Sequence, residues 1–330
     1  MKLLHIGKAG NVDRYSPHDE FTRSVGVVSR TMQTPVDELI SVAGDADFIL
    51  ADAMAAVPAG LIGRMPSLKL VQSEGVGFQF FDTQAAAQRG IYVCNARGMN
   101  ATAVAEQALM LMIGVLRDAI GGDRAVREGR QIAVKEGYMA TGSLRELADL
   151  KVGLYGFGAI AKALARVLSA MGVEVCYYQR RRADEATERE LNVKYLPLDE
   201  MVATCDMISV HVPLTDETRN SIDDGFFSKM KDGSYIINTA RGEVVDSEAL
   251  VRAIKSGKIA GAGLDTIAGE PVQRDNVLVT QPEEIASRLL FSPHIGGITA
   301  SSFRRSYAVA WNNIRLVAAG QRPLNVVNGL

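Results

Sequence analysis

The chain has 330 residues, a length that suggests about two domains, and its 47% apolar content is enough to give each a core. A net charge of −2 gives no general attraction to nucleic acid or to a membrane surface, and neither is expected as a partner. Cys94, Cys176 and Cys205 lack metal-ligand spacing and read as reduced thiols of a cytoplasmic protein, with no metal expected; MKLLHIG is too short for a signal peptide and Ala108–Leu116 too short to span a bilayer.

Residues 1–93 alternate strand and helix. Lys2–Ile6, Asp47–Ala51, Leu68–Gln72 and Ile91–Cys94 read as strands, with helices at Val36–Val42, Ala59–Met65 and Asp82–Arg89 between them. This rhythm predicts a small parallel sheet covered on both faces. Asn100 can cap a long helix reaching about Leu116, apolar on most sides and therefore buried between domains or subunits. Gly121-Gly122 is expected to break the pattern, and residues 123–149 read as a charged helix followed by a loop around Gly137 and Gly142.

From Lys151 the rhythm restarts, with strands at Lys151–Tyr155, Glu174–Tyr178, Met207–Val210, Ser234–Asn238, Gly261–Leu264 and Leu289–Phe291. Gly156, Gly158 and Ala161 follow the first of these and fit G-x-G-x-x-G/A between a strand and an amphipathic helix. Gly156 permits the tight turn, Gly158 lets backbone approach a pyrophosphate, and Ala161 lets the helix pack close. The helix N-terminus offers free N–H groups and a positive dipole end to phosphate. Thr299 then caps a last helix carrying Phe303, Tyr307, Ala310, Ile314 and Val317, ended by Gly320 and Pro323. The simplest home for that helix is the first domain, so the chain would cross between domains twice and leave a cleft.

Three polar residues follow strand ends in the second half: Arg241 in NTARGEVVD, Glu270 in IAGEP and His294 in SPHIGG. In a doubly wound sheet these loops open on one edge, with the glycine turn. A guanidinium clamps a carboxylate with two parallel hydrogen bonds, a histidine gives or takes a proton at a carbonyl oxygen, and a neighbouring carboxylate fixes its tautomer. The set suits hydride transfer to a 2-keto acid. His211 also ends a strand but has no acid placed like Glu270, and reads as structural. His5 reads as core and His18 as surface.

SEGVGFQFFD, NATAVAEQALML, KVGLYGFGAIA, SVHVPLTDETRN, KMKDGSYIINTARGEVVD, GAGLDTIAGEP and SPHIGG, in this order, resemble the D-2-hydroxyacid dehydrogenase family over nearly the whole chain. The resemblance implies an α/β fold of two doubly wound domains. A Rossmann nucleotide-binding domain, 101–298, would be inserted in a flavodoxin-like substrate domain made of 1–100 and 299–330. It implies Arg241 as substrate clamp, His294 as proton donor and acceptor and Glu270 as its partner. It further implies that N–H groups around Val76 and Gly77 hold the substrate carboxylate. Cofactor contacts would come from Gly156, Phe157, Gly158, Ala159, Ile160, Pro213, Thr218 and Thr239, with Asp265 on the nicotinamide carboxamide. A homodimer would form through the nucleotide-binding domain, using the helix after Asn100.

The place where NAD-preferring members carry an acid falls on Gln179, followed by Arg180, Arg181 and Arg182. Glutamine does not repel a 2′-phosphate and arginine attracts one, so NADP is expected over NAD. The pattern resembles the NADP-preferring glyoxylate/hydroxypyruvate reductases. Arg97, Thr266-Ile267-Ala268-Gly269 and Ala161 depart from the commonest pattern. Ala53 and Met54, in a stretch that faces the substrate's side chain in relatives, suggest a small or apolar substituent, and Asp52 disfavours a second carboxylate. The expected activity is therefore reduction of a short 2-keto acid such as glyoxylate or hydroxypyruvate. A nucleotide-sensing binding protein of the same fold and a formate or phosphite dehydrogenase remain as alternatives.

Overall fold

Phe48–Ala51 and Met207–Val210 are buried at every position, as central strands covered on both faces are. Such strands build two parallel sheets in the computed structural model, which describes residues 1–330. The chain divides into two units, Met1–Asn100 with Ile298–Leu330, and Ala101–Gly297.

The first unit holds β1 (Lys2–Ile6), β2 (Gly26–Arg30), β3 (Phe48–Ala51), β4 (Leu70–Ser73) and β5 (Tyr92–Cys94), in the order β2-β1-β3-β4-β5. All neighbours are parallel, and this is the flavodoxin-like order. Alternate side chains go to opposite faces. Leu4, Ile6, Ile49 and Val71 pack with Leu39, Leu61 and Ile62 of the helices on one side. Leu3, Phe48, Leu50 and Leu70 pack on the other with Tyr307, Ala310, Trp311 and Ile314 of the last helix, Ala300–Ala318. Thr299 starts that helix with a reciprocal cap, its hydroxyl accepting from the Ser302 N–H while the Ser302 hydroxyl accepts from the Thr299 N–H. β2 was not anticipated. It lies at the sheet edge and is half exposed, so it lacks the apolar signature of its neighbours.

A buried polar cluster ties the last helix to this sheet. His5 Nε2 lies 2.6 Å from Glu74 Oε1, and the Tyr307 hydroxyl donates to the same oxygen at 2.5 Å. His5 is a core residue, as expected, but a paired one.

The second unit holds β6 (Lys151–Tyr155), β7 (Glu174–Tyr178), β8 (Val193–Tyr195), β9 (Met207–Val210), β10 (Ser234–Asn238), β11 (Ile259–Leu264) and β12 (Leu289–Phe291). The order is β12-β11-β10-β9-β6-β7-β8, all parallel, so the winding reverses between β6 and β9. That is the Rossmann arrangement, and ligands bind at the carboxyl ends of strands beside such a reversal. Gly121-Gly122 does not break the chain as expected: a helix runs Ala119–Arg127, and another, Gln131–Thr141, runs through Gly137. Asp118 accounts for both. Its side chain accepts from the Gly121 N–H at 3.1 Å as an N-cap and accepts from the Tyr138 hydroxyl at 2.6 Å, which together outweigh the glycine penalty. No helix is long and apolar enough to cross a membrane.

Candidate active site

The glycine turn connects β6 to the helix Ala159–Ala170. Gly156 has φ +95°, and a Cβ there would lie 2.7 Å from the carbonyl carbon of His211, so only glycine fits. A Cβ on Gly158 would meet nothing within 4 Å. That open space, with no acceptor on the N–H groups of Gly158, Ala159 and Ile160 at the start of a 12-residue helix, could hold a phosphate. Ala161 is fully buried, as close helix packing requires. Phe157 is not free to touch a ligand with its ring, which stacks on Tyr177 at 3.9 Å between centroids; only its backbone faces the turn's task.

The loops after β7 and β9 flank that turn. After β7, Arg182 is committed: it forks onto Glu188 at 2.8 and 2.6 Å and lies over the Tyr195 ring. Arg180 has only a 3.4 Å contact with Glu217, Arg181 has no partner, and Gln179 stands before them uncharged. After β9, the Thr218 hydroxyl donates to the Pro213 carbonyl at 2.6 Å and accepts from the Thr215 N–H, which pins the loop. His211 lies next to the glycine turn with Nε2 2.9 Å from the Ser209 hydroxyl, and desolvation pulls its pKa down to about 4. It is neutral near pH 7 and has no acid beside it, which agrees with a structural role.

β10, β11 and β12 are adjacent, and the loops after them carry Arg241, Glu270 and His294. His294 Nδ1 lies 2.6 Å from Glu270 Oε2. A carboxylate only accepts, so Nδ1 carries the hydrogen and Nε2, which has no partner, is the nitrogen left available for proton transfer. The hydrogen bond to Glu270, against the effect of burial, holds the His294 pKa above its ordinary 6.5. Burial resists the Glu270 charge, but the hydrogen bond and charge of His294 prevail and its carboxyl sits below the ordinary value. The Glu270 loop is fixed on its own account by the Ile267 N–H, which donates to Oε1 at 3.1 Å.

Arg241 joins the pair through a close approach of backbones. A Cβ on Gly242 would lie 1.9 Å from the carbonyl carbon of Ile267, so the two loops touch only because that residue is glycine. The guanidinium acts electrostatically on both His294 and Glu270. Asp265, buried just past β11, accepts from the Ser292 hydroxyl and from the N–H groups of Ile295 and Gly296. The hydroxyls of Thr239 and Thr266, past β10 and β11, are buried without a partner. Two buried donors without acceptors at this sheet edge fit the polar end of a nicotinamide dinucleotide. Ser292 and Gln107 carry no sequence signal, and Thr266 stands out in the sequence only as a departure from the commonest pattern. Small hydroxyls and a glutamine inside an apolar helix carry no signal until their partners are known.

In the first unit the loop after β4 is a separate feature. The carbonyls of Gly75, Val76 and Gly77 are tied back by the Ala96 N–H, the Asn95 amide and the Ser73 hydroxyl, at 2.8, 2.8 and 2.7 Å. The N–H groups of Val76 and Gly77 have no acceptor, so the loop presents donors only, as an anion nest does. Ala53 packs under it, 3.3 Å from where a Cβ on Gly75 would stand. Asp52 is half-buried. Burial and the charge of Glu74, against the Met54 N–H that it accepts at 2.9 Å, hold its carboxyl above the ordinary value.

Residues 109–296 match the family described as D-isomer specific 2-hydroxyacid dehydrogenase, NAD binding domain. The chain is 35% identical over 292 residues to a glyoxylate reductase of Thermofilum pendens, covering 88% of this chain and 84% of that one. It is 36% identical over 265 residues to dehydrogenase efuE of Hormonema carpetanum, of which it spans 63%, the aligned part being 80% of this chain. The apo crystal structure of Rhodotorula graminis D-mandelate dehydrogenase superposes with a TM-score of 0.83 at 30% identity, over 99% of this chain and 97% of that one.

Proposed function

The chain belongs to the D-isomer specific 2-hydroxyacid dehydrogenase family, oxidoreductases that use a nicotinamide cofactor, and within it we propose a reductase of short 2-keto acids that prefers NADP(H). One observation carries the reading: a histidine whose Nδ1 is bound to a carboxylate and whose Nε2 is free, at the edge where β10, β11 and β12 end.

The nicotinamide, when bound, supplies the hydride to C2 in reduction and takes it back in oxidation. His294 holds a proton at Nε2 and gives it to the carbonyl oxygen as that oxygen gains charge. Glu270 favours the imidazolium and keeps the ring in the tautomer that leaves Nε2 to work. Arg241 clamps the substrate carboxylate with its two-pronged guanidinium and adds positive charge. A carboxylate-holding role for the Val76 and Gly77 N–H groups is part of the same proposal. Gly158, Ala159 and Ile160 would hold the pyrophosphate; the backbone of Phe157 and the loop of Pro213 and Thr218 would line the dinucleotide. Thr239 and the remaining lone pair on Asp265 would hold the carboxamide. The unpartnered Arg181 and the loosely held, exposed Arg180, beside an uncharged Gln179, favour NADP over NAD. Asp52 beside the small Ala53 favours a compact monocarboxylate such as glyoxylate or hydroxypyruvate.

A homodimer in the cytoplasm completes the proposal. Ile113, Ile120, Val126, Ile132 and Met139 are exposed along three consecutive helices of the second unit, up to 74% for Met139, and a lone copy would leave these apolar side chains in water. The deciding assay is NADPH oxidation against a panel of short 2-keto acids, with His294→Ala as control. Turnover lost in the variant with cofactor affinity kept supports the reading. No turnover with any 2-keto acid in the parent protein moves it to a nucleotide-sensing role.

A further inference from the structure

The Nδ1 contact of His294 with Glu270 joins two loops that are fixed separately, so something must hold the histidine loop in register. His294 has φ +54°, a left-handed conformation disfavoured for any residue with a Cβ. Proline precedes it, which cannot donate a backbone hydrogen bond to help. The loop is held instead from inside the unit. The His294 N–H donates to the carbonyl of Asp265 at 2.9 Å and to that of Ser292 at 3.0 Å. The Asp265 carboxylate then grips the loop on both sides of the histidine. Oδ1 accepts from the Ser292 hydroxyl at 2.5 Å and the Ile295 N–H at 3.0 Å, and Oδ2 accepts from the Gly296 N–H at 2.8 Å.

The Ser292 hydroxyl has its own anchor. Gln107 Nε2 donates to it at 2.8 Å. Its oxygen receives that hydrogen bond, so its single proton is directed to Asp265. Gln107 stands on the helix Ala101–Leu116, whose Ala105, Ala108, Leu111 and Met112 are buried in the core of the unit. The grip leaves no slack: a Cβ on Gly296 would lie 2.9 Å from Asp265 Oδ2 and 3.4 Å from the Gln107 side chain.

We propose that Gln107 and Ser292 are positioning residues for His294, acting through Asp265 to hold the strained loop so that the imidazole stays aligned with Glu270. Neither touches the reacting atoms. This inference rests on the reading of His294 as the proton donor. It deepens that reading by naming what sets the donor's geometry, and it assigns Asp265 a second task besides any contact with cofactor.

The test compares Ser292→Ala, Ser292→Thr, Gln107→Leu and His294→Ala in the full chain. Steady-state kinetics, solvent deuterium isotope effects, NADPH affinity by fluorescence titration and thermal melts are read for each. Ser292→Ala should lose about tenfold or more in kcat with NADPH affinity within about twofold, because misplacing a catalytic group by about 1 Å costs rate before it costs binding. The solvent isotope effect on kcat should rise as proton delivery becomes the slow event. Gln107→Leu should show the same signature more weakly, and Ser292→Thr, which keeps the hydroxyl, should stay within about threefold of the parent. Unchanged kcat in Ser292→Ala, equal losses in Ser292→Thr, or a loss with no change in the isotope effect each overturns the inference. If Ser292→Ala fails to fold, unchanged kcat in Gln107→Leu does so. An active His294→Ala removes the underlying reading instead, so the two failures are distinct.

Discussion

Replacing Glu270 by glutamine removes one charge and almost no volume from the candidate site. The Ile267 N–H can still donate to the amide oxygen, so the loop should keep its shape. What is lost is a charge-assisted hydrogen bond of 2.6 Å to His294 Nδ1. Bonds of that class contribute about 1.5–3 kcal/mol net. The two side chains are 46% and 33% exposed, so solvent screening places this one at the lower end, about 1.5 kcal/mol. That corresponds to roughly a tenfold change in the ratio of imidazolium to imidazole. The sign follows from the direction of the shift. Glu270 holds the His294 pKa above 6.5, so the acid needed for reduction survives to higher pH than in a free histidine. In Glu270→Gln the falling limb of kcat/KM for reduction should move to lower pH, and the rising limb for oxidation should move the same way. At pH 8 the variant should be roughly tenfold slower in reduction, with a smaller deficit at pH 6. Initial rates in both directions across pH 5–9 measure this. An unmoved limb, or a deficit that is the same at every pH, would refute the argument. The same linkage applies to stability: the pair's small contribution is complete between the ordinary values of 4.5 and 6.5. It is lost as pH rises through the raised His294 value or falls through the lowered Glu270 value.

Arg180→Ala and Arg181→Ala together should raise KM for NADPH by about tenfold or more while leaving NADH nearly unchanged, and adding Gln179→Asp should reverse the preference. Equal kinetics with both cofactors in the parent would refute the NADP assignment. Gly156→Ala should cost about 2–4 kcal/mol, seen as a lowered Tm, because φ is +95° and the new carbon meets His211 backbone. Gly158→Ala should leave Tm nearly unchanged yet raise KM for the cofactor, since its added carbon meets only the open space at the turn; a normal KM would argue against a pyrophosphate there. Ile132→Glu with Met139→Glu should halve the mass seen by sedimentation if the exposed helical face is a dimer contact, and an unchanged mass would place the contact elsewhere or nowhere.

The central strands and the glycine turn were readable because their signals are local: short, mostly apolar runs and small residues at fixed spacing. Arg241, Glu270 and His294 were readable as loop residues after strands that the sheet sets side by side. What was not readable depends on partners far away in the chain. β2 is an edge strand with no buried face to announce it. The helix through Gly121-Gly122 depends on Asp118 and on Tyr138, 20 residues beyond it. Glu74 looks like an ordinary acid in a turn until His5 and Tyr307 arrive from 69 and 233 residues away. Gln107 and Ser292, 185 residues apart, are silent for the same reason.

The last helix of the chain covers a sheet built by the first hundred residues, and this has a consequence for biosynthesis. β5 ends at Cys94, and the cover that carries Tyr307 and Trp311 begins at Ala300, roughly 200 residues later. At ribosomal rates that is about 10–40 s during which Leu3, Phe48, Leu50 and Leu70 lack their apolar partner and Glu74 lacks the tyrosine. The inserted unit is contiguous and has no such wait. A ribosome-bound chain arrested once Gly297 has cleared the exit tunnel should therefore show a protease-resistant 101–297 segment beside a sensitive first hundred residues. The amino-terminal sheet is then the portion of the nascent protein most exposed to aggregation and most dependent on a chaperone.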